Sequence, residues 1–128
     1  MSRLIPYLTV HDCAAAVAFY VSAFGARETG ERYAEEDGRI GHTALRIGDD
    51  TFYLSDEFTE YGAYSPRTVG HSTAALVLTV DDVDATYGAA VAAGATADRE
   101  PSDQGDGERR GWLIDPFGHR WALGSGGS

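Results

Sequence analysis

Apolar positions along this chain follow two rhythms. Val17, Tyr20, Val21 and Phe24 recur every three or four residues, which places them on one face of a helix. The same spacing returns at Val83, Tyr87, Ala90 and Val91. An aspartate opens each run, Asp12 and Asp82, and its carboxylate suits the unpaired amides of a first helical turn. A Gly-Ala pair closes each run, Gly25-Ala26 and Gly94-Ala95, where glycine takes the left-handed conformation that ends a helix. Helices are therefore predicted over 13–24 and 83–93. Elsewhere β-branched and aromatic residues predict strands over 27–33, 40–47 and 51–55, then 96–99, 110–114 and 119–123. Turns fall at 35–38 and 48–50, in a polar Gly-rich loop 102–107, and at Asp115-Pro116-Phe117-Gly118.

The halves echo one another. Leu8-Thr9-Val10-His11-Asp12 is matched by Leu78-Thr79-Val80-Asp81-Asp82, and the same order of elements comes after each. Each half reads strand, helix, strand, strand, strand. One such module cannot bury both faces of its sheet. This predicts an α+β fold: two βαβββ modules, 3–57 and 72–123, pairing into a curved eight-stranded mixed sheet with helices outside and an internal cleft. Residues 58–71, rich in Tyr, Gly, Ser and Pro, form the linker, and 124–128 a flexible Gly/Ser tail with the look of an added linker.

Charge and cysteine narrow the function. A net charge of −10 argues against nucleic acid and anionic membrane as partners, and mildly favours cationic ligands. Cys13 stands alone, so no disulfide framework and no cysteine zinc site is expected. No apolar run reaches the roughly 20 residues a membrane span needs, and no signal segment comes after Met1-Ser2-Arg3, so a cytoplasmic protein is expected.

Four stretches in this order, "IPYLTVHDCAAAVAFYVSAFGA", "GRIGHTALRIGDDTFYLSDE", "LTVDDVDATYGAAVAAGA" and "GERRGWLIDPFGHRW", resemble the vicinal oxygen chelate superfamily. That group includes glyoxalase I, bleomycin-resistance proteins and extradiol dioxygenases, and the closer likeness is to its PhnB-like glyoxalase/bleomycin-resistance branch. The resemblance runs from Ile5 to Leu123. It implies a divalent metal held by side chains from the first and last strand of each module. Those positions fall here on Ile5 and Ala75, near Tyr53 (or Ser55), and on Ala122. None is a usual ligand for a divalent ion, so no metal and no other cofactor is expected.

Strand alternation supplies the rest of the expected cleft. Leu45, Ile47, Phe52 and Leu54 fit a helix-covered face, which turns His42, Ala44, Arg46, Tyr53 and Ser55 the other way. The expected ligand-binding residues are Tyr7, His42, Tyr53, Ser55, Tyr61, Tyr64, Arg109 and Trp112, with no catalytic residue assigned. Several have plainer readings. His42 serves equally as a strand histidine tied to a loop, and Arg109 as half of an ion pair. Trp112 suits core or cleft wall. His119 fits a turn-stabilising role, Trp121 a core position, and His11 and His71 the surface.

The resemblance suggests a metal-independent protein that buries a small organic ligand, cationic or aromatic, as drug-sequestering resistance proteins do. The competing expectation is a glyoxalase-like lyase, isomerase or dioxygenase-related enzyme using the same cleft. Phe58, Tyr61 and Tyr64 in the linker suit covering a cleft or a partner, and a homodimer is expected.

Overall fold

Asp12 and Asp82 each accept a hydrogen bond from the amide three residues on, Ala15 at 3.1 Å and Ala85 at 3.0 Å. They fix the starts of the two long helices in a computed structural model that describes residues 1–126. Two compact units result, Met1–Gly70 and the chain from His71 onward. In the first, β1 (Tyr7–Val10) leads to α1 (Cys13–Phe24), then β2 (Arg27–Ala34), β3 (Ile40–Ile47) and β4 (Asp50–Asp56). A 3-10 turn, Thr59–Tyr61, and the short α2 (Pro66–Val69) come next. The second unit repeats the plan with β5 (Ala75–Thr79), α3 (Val83–Ala92), β6 (Thr96–Asp103), β7 (Arg109–Ile114) and β8 (Arg120–Gly124).

Both sheets have the same mixed topology, β1-β4-β3-β2 and β5-β8-β7-β6. The first and last strands of each module pair in parallel, and the remaining neighbours are antiparallel. Hydrogen bonding thus groups the eight strands as two four-stranded sheets. Each helix covers one face of its own sheet. Tyr20 on α1 packs edge-on against Phe52 at 5.5 Å, and Leu45 and Leu54 beside it are fully buried. In the second unit a side chain at Gly111 would meet Tyr87 of α3 at 3.0 Å. Gly111 and Leu113 therefore face the helix. So do Leu123 and Trp121, their cross-strand partners, while Trp112 and Ala122 face away.

Three features differ from the sequence reading, and the linker has a local anchor. Strand β6 runs on through Asp103, into the expected loop, because Ser102 and Asp103 pair with Arg110 and Arg109 after irregular register near Arg99. The linker is held down: Arg39, under the ring of Phe58 at 4.0 Å, reaches Glu60 at 2.6 Å and Asp37 at 2.8 Å. His11, expected at the surface, is half-buried. Of the expected tail, Gly124 is the last residue of β8, and Ser125 exchanges hydrogen bonds with the Arg109 backbone at 2.9 and 3.0 Å. Positions 127 and 128 of that tail lie outside the described residues.

The Arg39 hydrogen bonds hold the Glu60 carboxyl down at about 2. A depressed carboxyl contributes stability above its unfolded value and loses it as pH falls toward the folded one. Glu60→Gln is therefore expected to melt below the parent protein at pH 6 and level with it at pH 2. A difference that persists undiminished at pH 2 would show that the clamp is not ionic. Cys13 lies at the other extreme. Burial, then the nearby Asp56 carboxylate, pushes its thiol up to about 12, so it remains a protonated core side chain.

Candidate functional site

The first sheet's uncovered face brings Tyr7, His42 and Tyr53 together. Register places Tyr7 opposite Tyr53 across the parallel β1–β4 pair, and His42 comes from the adjacent β3. All three rings meet edge-on: His42 with Tyr53 at 4.5 Å, Tyr7 with Tyr53 at 5.4 Å, Tyr7 with His42 at 5.7 Å. The Tyr7 hydroxyl donates to the Gly41 carbonyl at 2.8 Å, and burial raises this phenol above its ordinary range, which keeps the donor proton in place. Its oxygen then accepts from Nδ1 of His42 at 3.3 Å, which in the neutral imidazole leaves Nε2 as an acceptor. Tyr7 is 52% exposed, so the cluster is wet on one side. Edge-to-face rings fixed by two polar contacts make a preformed aromatic surface with one basic nitrogen.

The other expected residues divide. Ser55 shares the Tyr53 side of β4 but is buried, its hydroxyl donating to the Asp56 carbonyl at 3.0 Å. Tyr61 and Tyr64 are exposed, at 83% and 51%. Arg109 sits on β7 in step with Gly111 and Leu113, on the α3 side. There Asp84 takes it bidentately at 2.7 and 3.0 Å, with Asp103 at 3.1 Å and the Pro101 carbonyl at 3.2 Å. The ion-pair alternative thus describes Arg109, and it lies on the face opposite Trp112. Trp112 is half-buried on the uncovered face. Two residues that sequence reasoning missed flank it: the guanidinium of Arg99 lies 5.9 Å from its ring and that of Arg120 5.3 Å.

The DPFG turn is a structural device. Asp115, 3% exposed, accepts from the Phe117 amide at 2.9 Å, the His119 amide at 3.0 Å and Nε1 of Trp121 at 2.9 Å. One carboxylate thus closes the turn and anchors the buried indole. A polar hollow lined by Asp12, Asp37, Arg39, Asp56 and Glu57 is likewise committed to the fold. Asp56 accepts from the Cys13 and Ile40 amides, Glu57 from the Ser65 amide, and Asp37 pairs with Arg39.

The whole span between these features matches one known profile, "Glyoxalase/Bleomycin resistance protein/Dioxygenase superfamily", over residues 4–123. The chain belongs to that superfamily. A Mycobacterium bovis relative, described as an uncharacterized protein, is 43% identical over 124 residues, covering 94% of this chain and 81% of that one. Among solved structures, TioX from Micromonospora sp. ML1 superposes with a TM-score of 0.71 at 26% identity, over 96% of this chain and 94% of that one. The fosfomycin resistance protein FosX from Mesorhizobium loti shares the fold, with a TM-score of 0.67 at 20% identity over 98% and 92% of the two chains.

Superfamily metal positions can now be tested against the side chains present. Ile5 lies before β1, and Ala75 pairs with Arg120. Ala122 lies between Val77 and Trp112, and Tyr53 is engaged with Tyr7 and His42. Among the described residues no three His, Cys, Asp or Glu side chains converge as an ion would need. These donors do not fit a divalent metal. Among the described residues, no helix is long and apolar enough to cross a membrane.

Proposed function

We propose that this superfamily member is a metal-independent small-molecule binding protein of the PhnB-like branch, related in action to the drug-sequestering resistance proteins. Its ligand is an organic molecule with an aromatic part, held on the Tyr7–His42–Tyr53 face. The observation that carries this is the ring cluster itself, three side chains from three strands locked edge-to-face and half open to solvent. Such a surface gives apolar contact at little ordering cost, while Nε2 of His42 accepts one hydrogen bond. The chemistry of the donor set supports binding over metal-assisted catalysis, because no carboxylate lies among these rings to share an ion or a proton.

The protein is further proposed to work as a homodimer in the cytoplasm. Exposed Tyr61 and Tyr64 support the pairing, since aromatic side chains are enriched where protein surfaces associate. Light scattering is expected to give twice the 13.7 kDa of one chain; the single-chain mass overturns the dimer.

Tyr53→Ala tests the site. A thermal-shift screen over aromatic polyketides, cationic glycopeptides and dicarbonyl compounds should find a stabilising ligand, by about 2.7 kcal/mol at a hundredfold excess over its Kd. Tyr53→Ala should then weaken that ligand at least about tenfold, the worth of roughly one ring contact of 1.5 kcal/mol. Its oligomeric mass should not change. Unaltered affinity in the variant places the ligand elsewhere.

A further inference from the structure

The second sheet's uncovered face has a different chemistry, and it stands on residues the proposed function does not use. Trp112 occupies the centre, on β7. Arg99 lies directly across from it on β6, and Arg120 comes from β8 on the other side. Both guanidiniums stand over the same indole, at 5.9 and 5.3 Å. Val77, 74% exposed and paired with the buried Ala122, adds an open apolar surface next to the ring.

Three observations say that this arrangement has a use. The first is charge. The chain has 20 acidic residues against 10 basic ones, all arginine, and neither Arg99 nor Arg120 is one of the five arginines that are ion-paired among the described residues. Arg110, on the same face, is neutralised by Glu108; the two arginines over the tryptophan are not. Two like charges around one ring repel, and an anion between them removes that cost.

The second observation is the internal repeat. In the first sheet Ala44 holds the place of Trp112, since each sits opposite the corresponding residue of the last strand, Tyr53 or Ala122. By the same register Thr29 corresponds to Arg99 and Thr51 to Arg120. The βαβββ fold therefore forms with two threonines and an alanine at these positions. Nothing in the architecture demands Arg, Trp and Arg.

The third is the type of cation. A guanidinium is planar and weakly hydrated, presents paired donors to a carboxylate or phosphonate, and lies flat on an aromatic face. An indole next to two of them offers stacking area and charge together. The overall charge of −10 does not decide the matter, because fields from distant carboxylates are screened beyond about 8 Å at physiological salt.

We infer that Arg99, Trp112 and Arg120 form a binding site for an aromatic anion, a flat ring carrying a carboxylate, phosphonate or sulfonate. The ring packs on Trp112 and Val77, and the anionic group is shared between the two guanidiniums.

Three probes of matched shape test this: benzoate, benzyl alcohol and benzylammonium. The indole N–H signals of Trp112 and Trp121 are told apart in NMR spectra with Trp112→Phe, and each probe is titrated against the Trp112 signal. Benzoate should move that signal with a Kd at least about tenfold below that of benzyl alcohol, and benzylammonium should be weakest. Arg99→Gln and Arg120→Gln, both at solvent-accessible positions, should each raise the benzoate Kd severalfold and leave the alcohol's unchanged. Added salt should weaken benzoate alone. Equal affinity for the three probes, or a benzoate preference that survives both arginine variants, overturns the anion site. So does a Trp112 signal that none of the three moves. The tyrosine-histidine face is judged separately, by Tyr53→Ala.

Discussion

Asp115→Ala is expected to destabilise the second unit by about 3 kcal/mol and to lower the melting temperature by about 10 °C. Three donors lose a buried acceptor at once, the Phe117 and His119 amides and the Trp121 indole. Hydrogen bonds to a charged acceptor contribute more than neutral ones, and a donor left dry costs its full desolvation. Water can reach the half-buried His119 amide in the variant, which is why the figure stays below the sum of three such losses. Asp115→Asn keeps one carbonyl acceptor and should fall between. A melting temperature within about 2 °C of the parent would mean that the turn is held by its Pro-Phe-Gly backbone alone.

Tyr20→Ala should cost somewhat more, about 4 kcal/mol, the typical penalty for deleting a buried aromatic ring. Tyr20 is fully buried and meets Phe19 at 5.4 Å, Phe24 at 5.9 Å and Phe52 at 5.5 Å, joining α1 to its sheet. The hole left would be lined by three rings pinned by their own neighbours, with little scope to collapse. Since domains of this size have about 5–15 kcal/mol in total, the variant would lose a large share of its margin. The urea midpoint reads the effect. Val21→Ala, one residue on and 43% exposed, is the control and should move the midpoint by no more than about 0.5 kcal/mol. Equal losses at the two positions would misplace the face that α1 buries.

Much of this architecture can be read in the chain because local and global signals agree. Asp12 and Asp82 cap helices, Gly25 ends one at a φ of +70°, and the repeat forces one topology on both halves. Alternation also gives the sense of β3 and β4 and sets His42 and Tyr53 on one side. Along β7 the structure sets Arg109 in step with Leu113 and against Trp112, so two residues expected in one ligand site stand on opposite faces. Arg99 is harder. It lies where β6 is irregular, between register shifts, so a period of two fails to say which way it points. Arg120 belongs to a strand read first for Ala122, where the resemblance implies a metal ligand, and its meaning depends on a cross-strand neighbour that no local window contains. The short helices of the linker are equally non-local. Four residues of helix at Pro66–Val69 are stabilised by the Ser65 cap and by docking rather than by propensity.

The parallel pairing of first strand with last sets a timetable for synthesis. In each sheet the last strand made is an interior one: β4 lies between β1 and β3, and β8 between β5 and β7. While the ribosome adds about 5–20 residues per second, β5 waits on the order of several seconds for β8. Through that interval two strand edges and the apolar faces of Leu76 and Leu78 are open to other nascent chains. A message cut short before Arg120 would leave them open for good, because it removes the middle of the sheet rather than a fraying margin. For this fold the last few codons of the module carry the closing step, and errors there should appear as aggregation in the cell rather than as a trimmed, working protein.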